Sequence, residues 1–221
     1  MGLGIRRESP LSLTRLSDGL TQLGLADRPD LAEALARYQL EIETWNERLG
    51  LVSLKSPDDL VIKHLLDSLA PWTMLRDLGF ASLADLGSGA GFPGIPLALA
   101  FPQVRTVLVE RMERRAGFLE ATLAVLKRSD IVVLQRTFEE VKDTFDLVTF
   151  RAFTPLEPKI VKKMRRLLAP RGHIAAYKGR RDVIDAELAA LGPLGEGAQV
   201  VPLMVPFLDE ERHLVVLPKE P

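Results

Sequence analysis

Ser82-Leu83-Ala84-Asp85-Leu86 has the character of a short strand and runs straight into Gly87-Ser88-Gly89-Ala90-Gly91-Phe92-Pro93-Gly94. Glycines at the end of a strand permit positive φ and let a ligand approach the backbone closely. A short helix expected from about Pro93 would add free N–H groups. The spacing separates the candidate ligands. A dinucleotide loop reads G-x-G-x-x-G; here the pattern is G-x-G-x-G, and Phe92 stands where the third glycine belongs. A phosphate loop of the Walker type ends in Gly-Lys-Ser/Thr, whereas Gly94 is followed by Ile95. A nucleophile elbow has a glycine two residues before its serine, and Ser88 has Leu86 there.

Two carboxylates sharpen the choice. Asp85 sits just ahead of the loop, where it would repel a pyrophosphate but favour an ammonium or a sulfonium. Glu110 ends the next apolar stretch, where an acid can accept hydrogen bonds from both ribose hydroxyls. Glycine loop, strand and terminal acid together describe a half-fold that takes S-adenosylmethionine. Gly87, Gly89 and Gly91 are its backbone cradle.

These residues need elements to hold them. Leu31, Leu35, Tyr38, Ile42, Trp45 and Leu49 step by four and three, which predicts a helix with one apolar stripe. Its role is core packing rather than a dimer seam. Ser56-Pro57-Asp58-Asp59 predicts a capped helix start with Pro57 at the first position. A weaker helix is expected over 11–24. After Gly79 the pattern changes to short apolar strands at 82–86, 104–110, 131–134, 145–150 and 172–177. Helices are expected between them, at 112–127 and 155–168. A helix over 182–191 and strands at 199–205 and 213–217 complete the chain. Alternation of this kind predicts a parallel, doubly wound α/β sheet. The last two strands have no helix between them and are expected to pair antiparallel at one edge. The chain therefore divides into an N-terminal helical extension, 1–79, and a Rossmann-like, seven-stranded, mostly parallel domain, 80–221, packed as one unit.

Composition narrows the function classes. The chain has 221 residues, 47% hydrophobic and 27% charged, with no cysteine. This is a folded composition, and it excludes disulfides, thiolate metal sites and cysteine nucleophiles. No apolar run approaches the roughly 20 residues that span a bilayer, and no secretory signal stands at the start. A cytoplasmic location is expected. The net charge of -1 hides an asymmetry. Residues 151–181 hold ten basic side chains and one acidic, a net of +9, which is the footprint expected for a polyanion or, equally, for a solvated helix face. His64 and Asp67 lie one helical turn apart. With no second histidine nearby they do not make a metal site; a tie between the helical extension and the cofactor domain is the expectation.

At this point the chain resembles the bacterial 16S rRNA guanine-N7 methyltransferase G family (GidB, the glucose-inhibited division protein B family). The resemblance covers roughly Trp45 to Leu217. It rests on Trp45-Asn46-Glu47-Arg48, on His64-Leu65-Leu66-Asp67-Ser68-Leu69, and on Asp85 to Pro96. Phe118-Leu119, Arg151-Ala152-Phe153, Lys178-Gly179 and Glu211-Arg212-His213-Leu214-Val215-Val216 complete it. The stretch Arg111-Met112-Glu113-Arg114-Arg115 is less lysine-rich than the family pattern.

The resemblance implies a class I methyltransferase that uses S-adenosylmethionine to methylate N7 of a guanine in 16S rRNA or the small ribosomal subunit. It implies cofactor contacts at Gly87 and Phe92, at Phe138 and Glu139, and at Arg151. Arg151 would hold the methionine carboxylate or a substrate group. The expected RNA surface is Arg111, Arg114, Arg115, Lys178, Arg180 and Arg181. Phe153 fits two roles, a stacking partner for the base and a core side chain. Guanine N7 has a lone pair and no proton, so no general base and no metal are expected, and the protein is expected to act as a monomer. The alternative is an S-adenosylmethionine-dependent enzyme acting on a small molecule or a protein, which would not need the basic segment.

Overall fold

The computed structural model describes residues 10–56 and 58–220. Two helices open the described chain, α1 (Pro10–Gln22) and α2 (Pro29–Leu49). The stripe read from the sequence sets the orientation of α2. Leu31, Leu35, Tyr38 and Ile42 are buried, and Trp45 and Leu49 pack at the margin of the same cluster. Proline in the first turn starts α2, and Gly50, at φ 57°, stops it and donates its N–H to the Asn46 carbonyl.

The start expected at Ser56 is held from its acidic side. The Asp59 carboxylate accepts from the N–H groups of Lys55 and Ser56 and from the Ser56 hydroxyl. Pro57, expected at the first helical position, lies outside the described residues. The stretch beyond Asp59 departs from a plain α-helix. Val61–Leu66 forms a π-turn that passes into α3 (Asp67–Leu69), and α4 (Trp72–Leu78) ends the extension.

Seven strands then make one sheet: β1 (Ser82–Leu86), β2 (Arg105–Val109), β3 (Val132–Leu134), β4 (Phe145–Arg151), β5 (Leu168–Lys178), β6 (Gln199–Pro202) and β7 (His213–Pro218). Their order is β3-β2-β1-β4-β5-β7-β6. The first five run parallel, and β7 lies antiparallel between β5 and β6. This is the expected architecture. Several boundaries differ: β5 begins at Leu168 rather than Gly172, with a register shift against β4, β6 ends at Pro202 rather than Val205, and the helix expected over 155–168 covers Pro158–Arg165. Helices α5 (Gly94–Ala100), α6 (Glu113–Val125), α7 (Pro158–Arg165) and α8 (Arg181–Leu191) complete the crossovers.

Alternating side chains fill the two faces of the sheet. Leu83, Leu108 and Leu147 join α1, α2, α5 and α6 in one buried cluster. Ala84, Val107 and Val148 join α7 and α8 in the other. The helical extension therefore shares its core with the sheet. Buried hydrogen bonds add direction to that packing. The Tyr38 hydroxyl donates to the Ala90 carbonyl at 2.5 Å, Trp72 Nε1 donates to the Leu23 carbonyl at 2.6 Å, and the Tyr177 hydroxyl donates to the Ser68 carbonyl at 2.8 Å. Among the described residues, no helix is long and apolar enough to cross a membrane.

The Tyr38 bond fastens α2 to the glycine loop. Tyr38→Phe leaves the Ala90 carbonyl without its buried donor, at a cost of about 1–3 kcal/mol. Chemical denaturation should show that loss, together with weaker binding of S-adenosylhomocysteine. Wild-type stability in the variant would mean that the bond is incidental to the fold.

Candidate active site

β1 and β4 are neighbours although β2 and β3 intervene in the chain. The connections leave these strands in opposite directions, and the switch opens a crevice at their carboxyl ends. The glycine loop crosses that crevice. Gly87, Gly89 and Gly91 all have positive φ, at 66°, 58° and 97°. Two of them are also glycine for space. A Cβ on Gly87 would lie 2.2 Å from the Phe153 ring, and one on Gly91 would lie 2.6 Å from Ile95 and 2.7 Å from the Tyr38 hydroxyl.

Glu110 fixes the loop from below. Its buried carboxylate accepts from the Gly89 N–H at 2.9 Å and from the Met112 N–H at 2.8 Å. Each oxygen keeps a further lone pair for a ribose hydroxyl. Beside it is a cleft of about 460 Å³, lined by Gly87, Glu110, Phe138, Glu139 and Phe153, with Arg111, Arg115 and Arg136 at its lip. Glycine backbone, carboxylate and apolar ring are the donor set an adenosyl group requires, so the residues present fit S-adenosylmethionine.

A second cleft, of about 630 Å³, opens on the other side of Ala152 and Phe153. It is lined by His64, Asp67, Arg151, Tyr177, Lys178 and His213. Arg151 organises it. One guanidinium nitrogen donates to the Lys63 carbonyl at 2.9 Å and to Asp67 Oδ2 at 2.8 Å; the other is 2.8 Å from His64 Nδ1. The guanidinium also lies 4.9 Å from the Phe92 ring centroid. The arginine keeps its proton, so His64 Nδ1 must be the acceptor and its Nε2 carries the hydrogen. Burial, reinforced by Arg151, lowers the His64 pKa to about 3, which keeps the ring neutral. Burial holds the Asp67 carboxyl above the ordinary value, with Arg151 pulling against it. His213 completes the wall, with Nδ1 2.6 Å from the Gly179 carbonyl.

Comparison with known proteins places this arrangement. The sequence model of the family described as GidB, rRNA small subunit methyltransferase G, matches residues 31–215. The chain belongs to this family. A ribosomal RNA small subunit methyltransferase G from Treponema pallidum is 37% identical over 215 residues, covering 95% of each chain. One from Methylobacillus flagellatus is 35% identical over 206 residues, covering 92% of this chain and 97% of its own. Among solved structures, a methyltransferase from Pyrococcus furiosus superposes with a TM-score of 0.58 at 16% identity, over 86% of this chain and 100% of its own. Cofactor-bound Rv0187 gives 0.57 at 17% identity, over 89% of this chain and 93% of its own. These two likenesses concern the fold.

Within a member of this family, the structure sorts the expected residues. Gly87, Glu110, Phe138 and Glu139 line the first cleft. Asp85 does not. Its carboxylate is fully buried beneath the loop, accepting from the Gly94 N–H at 3.1 Å at the start of α5. Its other oxygen, Oδ1, is buried without a hydrogen-bond partner. Phe92 is also sealed, packed between the rings of Tyr38 and His64. Arg151 is committed to the helical extension, which bears out the tie expected of His64 and Asp67.

The basic residues divide as well. Lys178 is nearly buried and bridges to Glu187 at 2.7 Å, so it is not a free contact for RNA. Arg180 and Arg181 are exposed but carry partners, Asp182 and Asp185. Arg111, Arg114 and Arg115 have no acidic partner within ion-pair distance among the described residues, and neither does Arg136. Sequence reasoning passed over Arg136. The signal that could have found it is its position two residues before Phe138, just past a strand's carboxyl end.

Burial raises the Asp85 pKa from 3.8 to about 7, against the Gly94 N–H, which lowers it. The folded state therefore binds the proton more tightly than the unfolded chain, and the stabilising contribution is lost as pH rises from about 4 to about 7. The loss is roughly 1.4 kcal/mol per pH unit across that window. Asp85→Asn should remove this slope, so that the variant gains on wild type from pH 5 to pH 7 in urea denaturation and the gap levels off above pH 7. Parallel profiles for the two proteins would refute the buried, proton-retaining carboxyl.

Proposed function

We propose that the protein transfers the methyl group of S-adenosylmethionine to N7 of a guanine in 16S rRNA. The reading is carried by the two clefts that meet at Phe153, one built for an adenosyl group and one beside it large enough for a purine, in a chain of the rRNA small subunit methyltransferase G family. Bound in the first cleft, the cofactor supplies a methyl group already activated by a sulfonium.

The protein's share of the work is positioning and exclusion of water. Glu110 fixes the glycine loop and keeps lone pairs for the ribose, and Gly87 leaves room for the Phe153 ring at the edge of the cleft. Phe138 supplies an apolar wall for the adenine. Arg151 orders the floor of the second cleft through three contacts with the helical extension. Guanine N7 brings its own lone pair and no proton, so neither imidazole of the second cleft has a proton to remove.

Recognition of the RNA backbone falls to cations that are not held in an ion pair. Arg111, Arg115 and Arg136 stand at the lip of the first cleft and meet that condition. Arg136 adds to the expected surface of Arg111, Arg114, Arg115, Lys178, Arg180 and Arg181, within which the first three rank ahead of the last three.

Small ribosomal subunits lacking the modification should accept a labelled methyl group, and mass spectrometry of the nucleosides should identify 7-methylguanosine. Transfer to another atom, or none despite cofactor binding, would reject the assignment. Arg111→Ala combined with Arg136→Ala should raise the RNA KM about tenfold and lower the slope of log affinity against log salt by about 1.5. Affinity for S-adenosylhomocysteine should stay within about threefold. An unchanged salt slope would take both arginines off the RNA path.

A further inference from the structure

Phe153 is unusual in being an aromatic side chain that is 38% exposed and yet fixed on three sides. Its ring meets Phe138 edge-on at 5.7 Å and Phe150 at 6.3 Å. It rests on Gly87 so closely that a single Cβ there would collide with it. Ala152 before it takes a left-handed conformation, φ 50°, which non-glycine residues adopt only when the surroundings require it. That turn aims the ring into the space between the two clefts, and Ala152 and Phe153 are the residues that line both.

We propose that Phe153 is the base-stacking residue of the reaction: its ring packs on the guanine that receives the methyl group and orients the N7 edge toward the cofactor cleft. This rests on the methyltransferase reading. In the transfer the N7 lone pair forms the bond to the methyl carbon, and the electron pair of the breaking carbon–sulfur bond stays on sulfur. The sulfonium becomes a neutral thioether, the purine becomes a cation, and no proton moves. Positive charge that develops on a stacked base is attracted by the electron-rich face of an aromatic ring. A phenyl ring can thus favour the transition state over the neutral base, which an aliphatic side chain of similar size cannot.

The test compares Phe153→Leu, Phe153→Tyr and Phe153→Trp with wild type. For Phe153→Leu, kcat on unmodified small ribosomal subunits should fall about ten- to a hundredfold, the equivalent of one lost stacking contact. Because Phe153 also lines the cofactor cleft, affinity for S-adenosylhomocysteine should fall, but by a smaller factor than kcat. Phe153→Tyr should recover most of the rate. Phe153→Trp supplies a readout independent of turnover: its added fluorescence, measured against the background of Trp45 and Trp72, should be quenched by RNA carrying 7-methylguanosine. Wild-type kcat in Phe153→Leu, an equal loss of cofactor affinity, or no quenching in Phe153→Trp would each overturn the proposal. Failure of wild type itself to form 7-methylguanosine would instead overturn the methyltransferase reading, and the stacking role with it.

Discussion

The Arg151 guanidinium is the joint on which the site depends. It leaves the carboxyl end of β4 and is satisfied by three groups from one short stretch of the helical extension: the Lys63 carbonyl, His64 Nδ1 and Asp67. A charge so far withdrawn from water is tolerable only when paired and hydrogen-bonded. The π-turn is what makes the pairing geometric. In a regular α-helix the Lys63 carbonyl would be taken by an N–H four residues on; the wider turn at Val61–Leu66 offers it sideways to the arginine. Such turns recur where a helix must present a backbone group to a site. Substituting any of the partners would leave a buried ion or imidazole without its counterpart, so the extension and the sheet stand or fall together here.

Loop and joint are connected through Phe92. Its ring touches Tyr38, His64 and the Arg151 guanidinium, while its neighbours in the chain form the glycine turn. Tyr38 reaches the same turn through the Ala90 carbonyl and the space above Gly91. The cradle is therefore shaped from two sides, by Glu110 within the sheet domain and by α2 from the extension. This accounts for a helical segment that contributes no lining residue to the first cleft and still governs its geometry.

Much of this was legible in the sequence because it depends on local rules. The alternation of strands and helices, the antiparallel final pair, the stripe on α2 and the glycine spacing all depend on neighbours within a few residues. Gly87 and Glu110 follow directly on β1 and β2, so the strand ends already place them beside the first cleft. What the sequence hid was depth and pairing. Asp85 and Glu110 both come after apolar strand residues, but Asp85 points under the loop on a central strand while Glu110 meets it. The strand β5 runs through Pro170 and Gly172 because Leu168 and His173 on either side both pair with β4, which leaves 169–172 as a bulge between them. The net of +9 over 151–181 is real as a count, yet Lys178, Arg180 and Arg181 are each matched by an acid from the next segment of the chain. Linear counting cannot see a partner nine residues on.

That neutralisation bears on how the protein meets a nucleic acid. An exposed ion pair contributes little to stability, so Arg180 and Arg181 can exchange an aspartate for a phosphate, but only by leaving the aspartate's charge beside the RNA. A cation outside an ion pair can release counterions from the RNA without displacing an acid. On the proposed reading, the arginines outside ion pairs at the lip of the cofactor cleft stand beside Phe153, where a strand would bend inward for a base to reach the methyl group. That reading concentrates backbone attraction beside the base proposed to stack on Phe153, and Arg151 takes no part in it because its charge is already paired with Asp67.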